Sequence, residues 1–375
     1  MDDSILKVGI AGCGVVGNKR RNCVDQHPNM KTVAVCDIRF REDATMVAGA
    51  ISNYDYSSLE KRNLDTFHDS ILQDGVHYYN NYKELLKNQS MDVLIVCLPN
   101  YLASEVTIAG LESGLHVFCE KPPARTVEEV KKVIKCSKKY PHLKLKYGFN
   151  HRYHKSVKKA KAIIDSAEYG EVINLRGIYG KSRIIPFSGG WRSQRKYAGG
   201  GILLDQGIHM LDMIRYFSGD FDEIKSFVSN NYWKHDVEDN AFAIMRNEKG
   251  CIASLHSTST QWQHRFRLEI TLRDALIELS GILSGSKSYG EEKLKIIPRK
   301  DESITGSQDI IVYSFLDDYS WKEEVNEFVD CILNDKPIEN GTSYEALKIM
   351  EMIFSIYKSD KAWWGYFNKN NEENK

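Results

Sequence analysis

The chain has no net charge: Lys+Arg 51 stand against Asp+Glu 51, so nothing global suggests a nucleic acid or an acidic surface as partner. It has no apolar run able to cross a bilayer. The densest, Val93 to Leu98, is far shorter than the roughly 20 residues a membrane helix needs. Its eight cysteines form no C-x-x-C and no Cys/His pair at zinc spacing, and they read as reduced thiols with no structural metal. There is no HEXXH, P-loop or Gly-x-Ser-x-Gly motif, no internal repeat and no flexible linker. The opening Met1-Asp2-Asp3-Ser4 is acidic and runs directly into a strand, which argues against a secretory signal. These absences leave a soluble, cytoplasmic chain whose 375 residues favour two domains over one core.

What is present begins at Leu6. Leu6 to Ala11 reads as a short buried strand, followed by Gly12-Cys13-Gly14-Val15-Val16-Gly17, a G-x-G-x-x-G. A helical segment follows, then the strand Thr32 to Cys36, which stops at Asp37. This is the dinucleotide-binding βαβ order. Gly12 permits the turn, Gly14 admits a pyrophosphate close to the backbone, and Gly17 lets the helix pack on the sheet. The helix start, with Val15 and Val16, offers N–H groups and a positive dipole end to phosphate. Asp37 lies twenty positions after Gly17, where a carboxylate takes both hydroxyls of an adenosine ribose. The expected cofactor is NAD. Arg39, two residues on, is placed to reach a 2′-phosphate, so NADP stays open.

Residues 38–75 are polar and helix-prone and read as helices plus a surface insertion. A short strand is expected at Val76–Tyr79, and a continuous apolar one at Val93–Leu98, ending in Pro99-Asn100. His116–Cys119 is another, ending at Glu120-Lys121-Pro122, and Leu143–Phe149 is the last of the sheet. Strands alternating with helices predict a doubly wound α/β sheet with ligands off its carboxyl edge. The glycine loop, Pro99, Asn100, Glu120 and Lys121 should therefore converge at that edge, with Lys121 projecting into the crevice near the nicotinamide. Asn150-His151-Arg152-Tyr153 opens the second half, with Asn150 and Arg152 as candidate substrate contacts.

Downstream, Gly199-Gly200-Gly201 leads into a helix on which Asp205, His209 and Asp212 are expected to form one polar stripe. Leu204, Ile208 and Leu211 form the apolar stripe opposite. From Ile224 to Leu279 short alternating strands succeed one another without helices, as in an open, mostly antiparallel sheet. Its uncovered face is a natural subunit contact. Trp321–Asn334 and Tyr344–Tyr357 are closing helices, and the polar tail from 368 to 375 is expected to be disordered. The domains are thus drawn as 1–125, with a last sheet strand near 143–149, then 126–367.

Together the G-x-G-x-x-G, Glu120-Lys121-Pro122, the Gly-Gly-Gly-x-x-x-Asp-x-Gly-x-His block and the closing helices resemble the glucose–fructose oxidoreductase / inositol dehydrogenase / MocA family. The resemblance implies an N-terminal Rossmann domain and a C-terminal α+β domain with a large open sheet. It also implies homodimers or homotetramers, and NAD(P)-linked oxidation or reduction of a sugar or cyclitol. By motif position it implies that Lys121, Asp205 and His209 are the active-site lysine, aspartate and acid/base histidine. Two features depart from it: many members carry a His shortly after the Pro-Asn pair, where this chain has Tyr101-Leu102-Ala103-Ser104, and the 38–75 insertion is long.

The expected chemistry is hydride transfer, with His209 moving the hydroxyl proton, Asp205 orienting and Lys121 stabilising the alkoxide. An NAD-dependent glycosidase and a non-catalytic dinucleotide-binding regulator are the competing readings. The substrate expectation rests on the stretch between Glu171 and Asp205. It holds no acid but contains Arg176, Lys181, Arg183, Arg192, Arg195 and Lys196, with Trp191 and Tyr197. Arginines bind phosphate in a bidentate fork, so a phosphorylated or nucleotide-linked sugar, contacted by Trp191 and Arg192, is expected over a free cyclitol.

Overall fold

The computed structural model describes residues 5–40, 75–88, 90–183, 190–284, 288–300 and 309–372. Most of the expected 38–75 insertion lies outside them.

The first half is a parallel six-stranded sheet. In spatial order it runs β3 (His77–Tyr79), β2 (Met30–Cys36), β1 (Leu6–Ala11), β4 (Val93–Val96), β5 (His116–Glu120) and β6 (Leu145–Gly148). Every pairing is parallel. The order reverses between β1 and β4, which opens a crevice at their carboxyl ends. Val93, Leu94, Ile95 and Val96 are all buried, as layers on both faces require. One of those layers comes from far along the chain. The helix α1 (Ser320–Leu333) returns to this sheet, where Phe328 meets Phe118 edge to face at 5.5 Å.

The second half is an eight-stranded sheet in which only Val172–Ser182 and Ile252–Gln261 pair in parallel. The neighbouring ladders are antiparallel. Two of its strands, Glu292–Pro298 and Ile311–Phe315, were not anticipated. Helices Lys155–Asp165, Ile208–Ser218 and Ser343–Ser359 cover one face. The other is open: Phe227 is 82% exposed and Ile244 61%. Ser343–Ser359 starts with a reciprocal capping box between Thr342 and Glu345.

The tail departs from expectation. The final helix runs from Lys361 to Glu372, because Trp363 and Phe367 are buried against the core and anchor its first turns. Among the described residues no helix is long and apolar enough to cross a membrane, and no cluster of metal-ligating side chains is found.

Candidate active site

The glycine loop separates into closed and open sides. Gly12 leaves β1 at φ +97°, and a Cβ there would fall 2.2 Å from the Cys97 carbonyl oxygen. A Cβ on Gly17 would fall 1.8 Å from the Gly12 oxygen, so the helix Val15–Asp25 seats directly on the loop. At Gly14 nothing lies within 4 Å of the Cβ position. The helix starts at this open side with no capping side chain and no acid in its first turn. Its first N–H groups, those of Val15 and Val16 among them, are thus left for an anion.

Asp37 ends β2 and accepts the Cys13 N–H at 2.9 Å. Arg39 grips the same carboxylate through Nε and Nη2, both at 2.8 Å, and also donates to the Cys13 carbonyl. Burial alone would raise the Asp37 pKa; the hydrogen bonds and charge of Arg39 overcome it and hold the group below its ordinary value. Pro99 precedes the helix Asn100–Glu112, and Asn100 Nδ2 donates to the Ala198 carbonyl at 2.7 Å. That bond ties the crevice rim to the segment before the glycine run.

Two expected ligand contacts have other partners. Glu120 turns away from the crevice to the fully buried Arg20, 2.6 Å away, whose guanidinium lies between the Phe118 and Trp321 rings and also meets Glu324 at 2.5 Å. Arg152 is buried and committed to Asp212 and Glu345, each at 2.5 Å. Neither side chain is available to a substrate. Asn150 is one step removed as well: its Oδ1 faces His151 Nδ1 at 3.2 Å, and its Nδ2 donates to Ser320 Oγ.

Lys121 follows β5 and reaches across the crevice. Its ammonium donates to the Asp205 carbonyl at 2.5 Å and lies 3.8 Å from Asp205 Oδ1. Arg192 Nε lies 3.9 Å from the same oxygen. Burial would raise the Asp205 pKa, but Lys121, Arg192 and Lys181 together hold it below its ordinary value.

The glycine run approaches protein rather than ligand. Cβ atoms on Gly199, Gly200 and Gly201 would fall 2.4 Å from the Arg125 carbonyl, 2.3 Å from the Tyr357 hydroxyl and 2.1 Å from the Glu238 carbonyl. Glu238 is fully buried; its carboxylate accepts the N–H groups of Gly201 and Leu203 and the Tyr357 hydroxyl. Nothing in the sequence around Glu238 signalled this.

After the run, Leu203–Gly207 is one wide π-helical turn, and the α-helix begins at Ile208. The expected stripe therefore divides. Asp205 faces Lys121, His209 is buried against His151, and Asp212 points at Arg152. The two imidazoles stack at 3.7 Å with 16° between their planes. Burial, then the charges of His151, Lys121 and His154, push the His209 pKa well below its ordinary value. Nothing in the local sequence marks His151, which lies between Asn150 and Arg152. Its tautomer follows from a hydrogen-bond chain. Ser320 donates to Asp318 and receives from Asn150 Nδ2, so Asn150 Oδ1 receives from His151 Nδ1–H. His151 Nε2 is then the acceptor of the Tyr179 hydroxyl, 3.2 Å away.

The basic stretch also divides. Arg176 lies on the sheet paired with Glu269 at 2.6 Å, and Arg195 is buried between Asp236 and the Phe367 carbonyl. Arg183 lies over the Trp262 ring. Arg192, stacked 4.3 Å over Trp191, and Lys181 stay with Asp205.

Residues 6–149 match the model of an oxidoreductase family with an NAD-binding Rossmann fold, and residues 157–278 match the GFO/IDH/MocA C-terminal domain. The chain belongs to the Gfo/Idh/MocA oxidoreductase family. A levoglucosan dehydrogenase of Pseudarthrobacter phenanthrenivorans is 33% identical over 156 residues, 40% of this chain and 39% of that protein. The D-glucoside 3-dehydrogenase of Escherichia coli is 27% identical over 278 residues, 69% and 71% of the two chains. The match thus spans 39% of the first of these relatives and 48% of an inositol 2-dehydrogenase. In fold, a solved levoglucosan dehydrogenase in complex with NADH superposes with a TM-score of 0.77, at 19% identity, over 96% of this chain and 98% of that one.

The Gfo/Idh/MocA cofactor is a nicotinamide dinucleotide, and this chain's residues fit one. The open side of Gly14, the uncapped amides of the helix and the Asp37 carboxylate suit the pyrophosphate and the adenosine ribose.

Proposed function

We propose that this chain is an NAD(P)-dependent dehydrogenase that moves a hydride between the nicotinamide and a CH–OH carbon of a sugar or cyclitol ring. The observation that supports this most is the convergence of Lys121 and Asp205 at the carboxyl end of β5, with His209 buried within reach of the Lys121 charge. The dinucleotide, when bound, accepts or returns the hydride.

The protein's part is to hold the ring and manage one proton. Asp205 has a cation on two sides at nearly 4 Å, and its carboxylate receives no hydrogen bond from the described residues. A substrate hydroxyl donating to it would bridge those gaps. Lys121 stabilises the alkoxide as the carbinol loses its hydride. His209, kept neutral by its surroundings, takes the hydroxyl proton and returns it in the reverse direction. Trp191 and Arg192 border the substrate, and Asn150 acts through His151 rather than on the substrate itself. The expectation of a nucleotide-linked sugar loses Arg176 and Arg195 from its support.

The test follows NADH appearance with NAD and a panel of levoglucosan, inositols, glucosides and nucleotide sugars. Turnover of one class supports the reading. Sugar release without NADH accumulation would overturn it in favour of a glycosidase, and NADH binding without any turnover would favour a regulator. We further propose a homodimer or homotetramer closed through the open face of the second sheet, supported by the exposed Phe227, Phe242 and Ile244.

A further inference from the structure

We propose that the substrate carries an anionic group on the same ring as its reacting hydroxyl, a carboxylate or a monophosphate, and that Arg192 receives it. The inference deepens the dehydrogenase reading and rests on it.

Arg192 differs from the other arginines near the crevice. Arg20, Arg125, Arg152 and Arg195 each donate to carboxylates or carbonyls at close range. Arg192 lies stacked on Trp191 and is 39% exposed at its side chain. No described residue takes a hydrogen bond from it, and its nearest carboxylate oxygen is 3.9 Å away. A guanidinium held by its face in this way keeps its edge available for two parallel hydrogen bonds to a planar or tetrahedral anion.

The local charge points the same way. Lys121 and Arg192 both lie within 4 Å of one carboxylate, Asp205. The neighbouring acids are engaged elsewhere: Glu120 with Arg20, Asp212 with Arg152, Asp236 with Arg195, and Glu238 with the glycine run and Tyr357. Among the described residues the pocket thus carries more positive than negative charge. A neutral sugar leaves that imbalance in a half-buried site, whereas an anionic sugar cancels it where screening is weak.

Distance sets where the anion is attached. Lys121 Nζ, beside the reacting hydroxyl, and Arg192 Nε lie 3.8 and 3.9 Å from the same oxygen, Asp205 Oδ1. The two cations are therefore within the span of one sugar ring and its substituent. A diphosphate joined to a nucleoside would extend past this seat, so the observations favour a sugar acid or sugar monophosphate.

Matched probes test this. Methyl glucoside, methyl glucuronoside, glucose 6-phosphate and UDP-glucose, with their galacto and manno counterparts, are titrated into the enzyme–NADH complex, read by nucleotide fluorescence, and assayed for turnover with NAD. The uronate or the monophosphate should bind roughly 10-fold or more tightly than its neutral partner at low salt, the ratio shrinking as salt rises. Whichever of the two leads identifies the anion. Arg192→Met should collapse the charged-to-neutral ratio, and Arg192→Lys should restore part of it. Equal affinity for charged and neutral probes, or a ratio unchanged by Arg192→Met, overturns the proposal. Preference for UDP-glucose over both smaller anions overturns the ring-adjacent placement. Anion preference without any NADH formation would instead sink the dehydrogenase reading and leave the anion seat standing, so the two failures are distinguishable.

Discussion

Asp37 is the side chain we propose as the one that decides between two cofactors. It is held by Arg39 on one side and the Cys13 N–H on the other, and both bonds keep it ionised and fixed. A fixed carboxylate repels a 2′-phosphate. Asp37→Ala should weaken NAD and leave the Arg39 fork to a 2′-phosphate, shifting the NAD-to-NADP ratio of kcat/KM toward NADP by roughly 10-fold or more. A wild-type enzyme that already prefers NADP strongly would show that Arg39 sets the choice. At the other end of the crevice, Lys121→Ala and His209→Ala should each lower kcat by roughly 10²–10⁴ with NADH binding nearly unchanged. Wild-type rates from both variants would refute their roles. The meeting of Lys121 with Asp205 was legible because the strand-end loop and the glycine run each carry a local signature. His151 was not, since a stack between residues 151 and 209 has no local signature.

At the scale of elements, glycines with opposite tasks look alike in sequence. Gly14 has open space where a Cβ would go, and Gly201 has the Glu238 carbonyl at 2.1 Å. Gly14→Ala should therefore fold with an unchanged melting temperature and raise the KM for NAD. Gly201→Ala should lose about 1–3 kcal/mol of stability, because the clash is with backbone that cannot turn aside. A melting temperature for Gly201→Ala equal to wild type would count against this packing account. The βαβ start and the alternating strands were legible because their periods, 3.6 and 2, are local properties. The Asp205–His209–Asp212 stripe was misread for a physical reason: the π-helical turn at Leu203–Gly207 inserts into the period that the stripe assumes. The tail was misread because composition favoured disorder, while Trp363 and Phe367 secure the helix by tertiary packing. Glu120 and Arg152 have the residue types of ligand contacts, but Arg20, 100 residues before Glu120, holds it together with Glu324, and Glu345 reaches Arg152 from 193 residues later.

The whole molecule depends on those late-arriving partners, since helices beyond residue 319 complete both halves. Its open sheet face predicts association: Phe242→Asp should shift the species seen by light scattering toward monomer, and an unchanged mass would remove this face as the interface. Acid should test the interior as a unit. His151 and His209 are buried, and burial, aided by neighbouring positive charge, pushes both pKa values well below the ordinary value of about 6.5. His116 and His256 are lowered for the same first reason, His256 to about 4. Below about pH 6.5 the unfolded chain therefore takes up protons that the folded chain refuses. Stability is full above that pH and declines as pH falls toward the folded values, by about 1.4 kcal/mol per pH unit for each such histidine. Glu324 works against this. Burial pushes its pKa up to about 7, so between about 4.5 and 7 the folded chain binds the extra proton and gains stability as pH falls. Burial also raises the Asp212 and Glu238 pKa values, which oppose the histidines in the same sense; the four histidines outnumber these three carboxylates, and the melting temperature should drop from pH 7 to pH 5. Substitution separates the two signs. His151→Gln should flatten the decline, because one refused proton is gone, and Glu324→Gln should steepen it, because the opposing uptake is gone. Parallel pH curves for both variants and the wild type would mean that neither group titrates differently in the folded and unfolded chains.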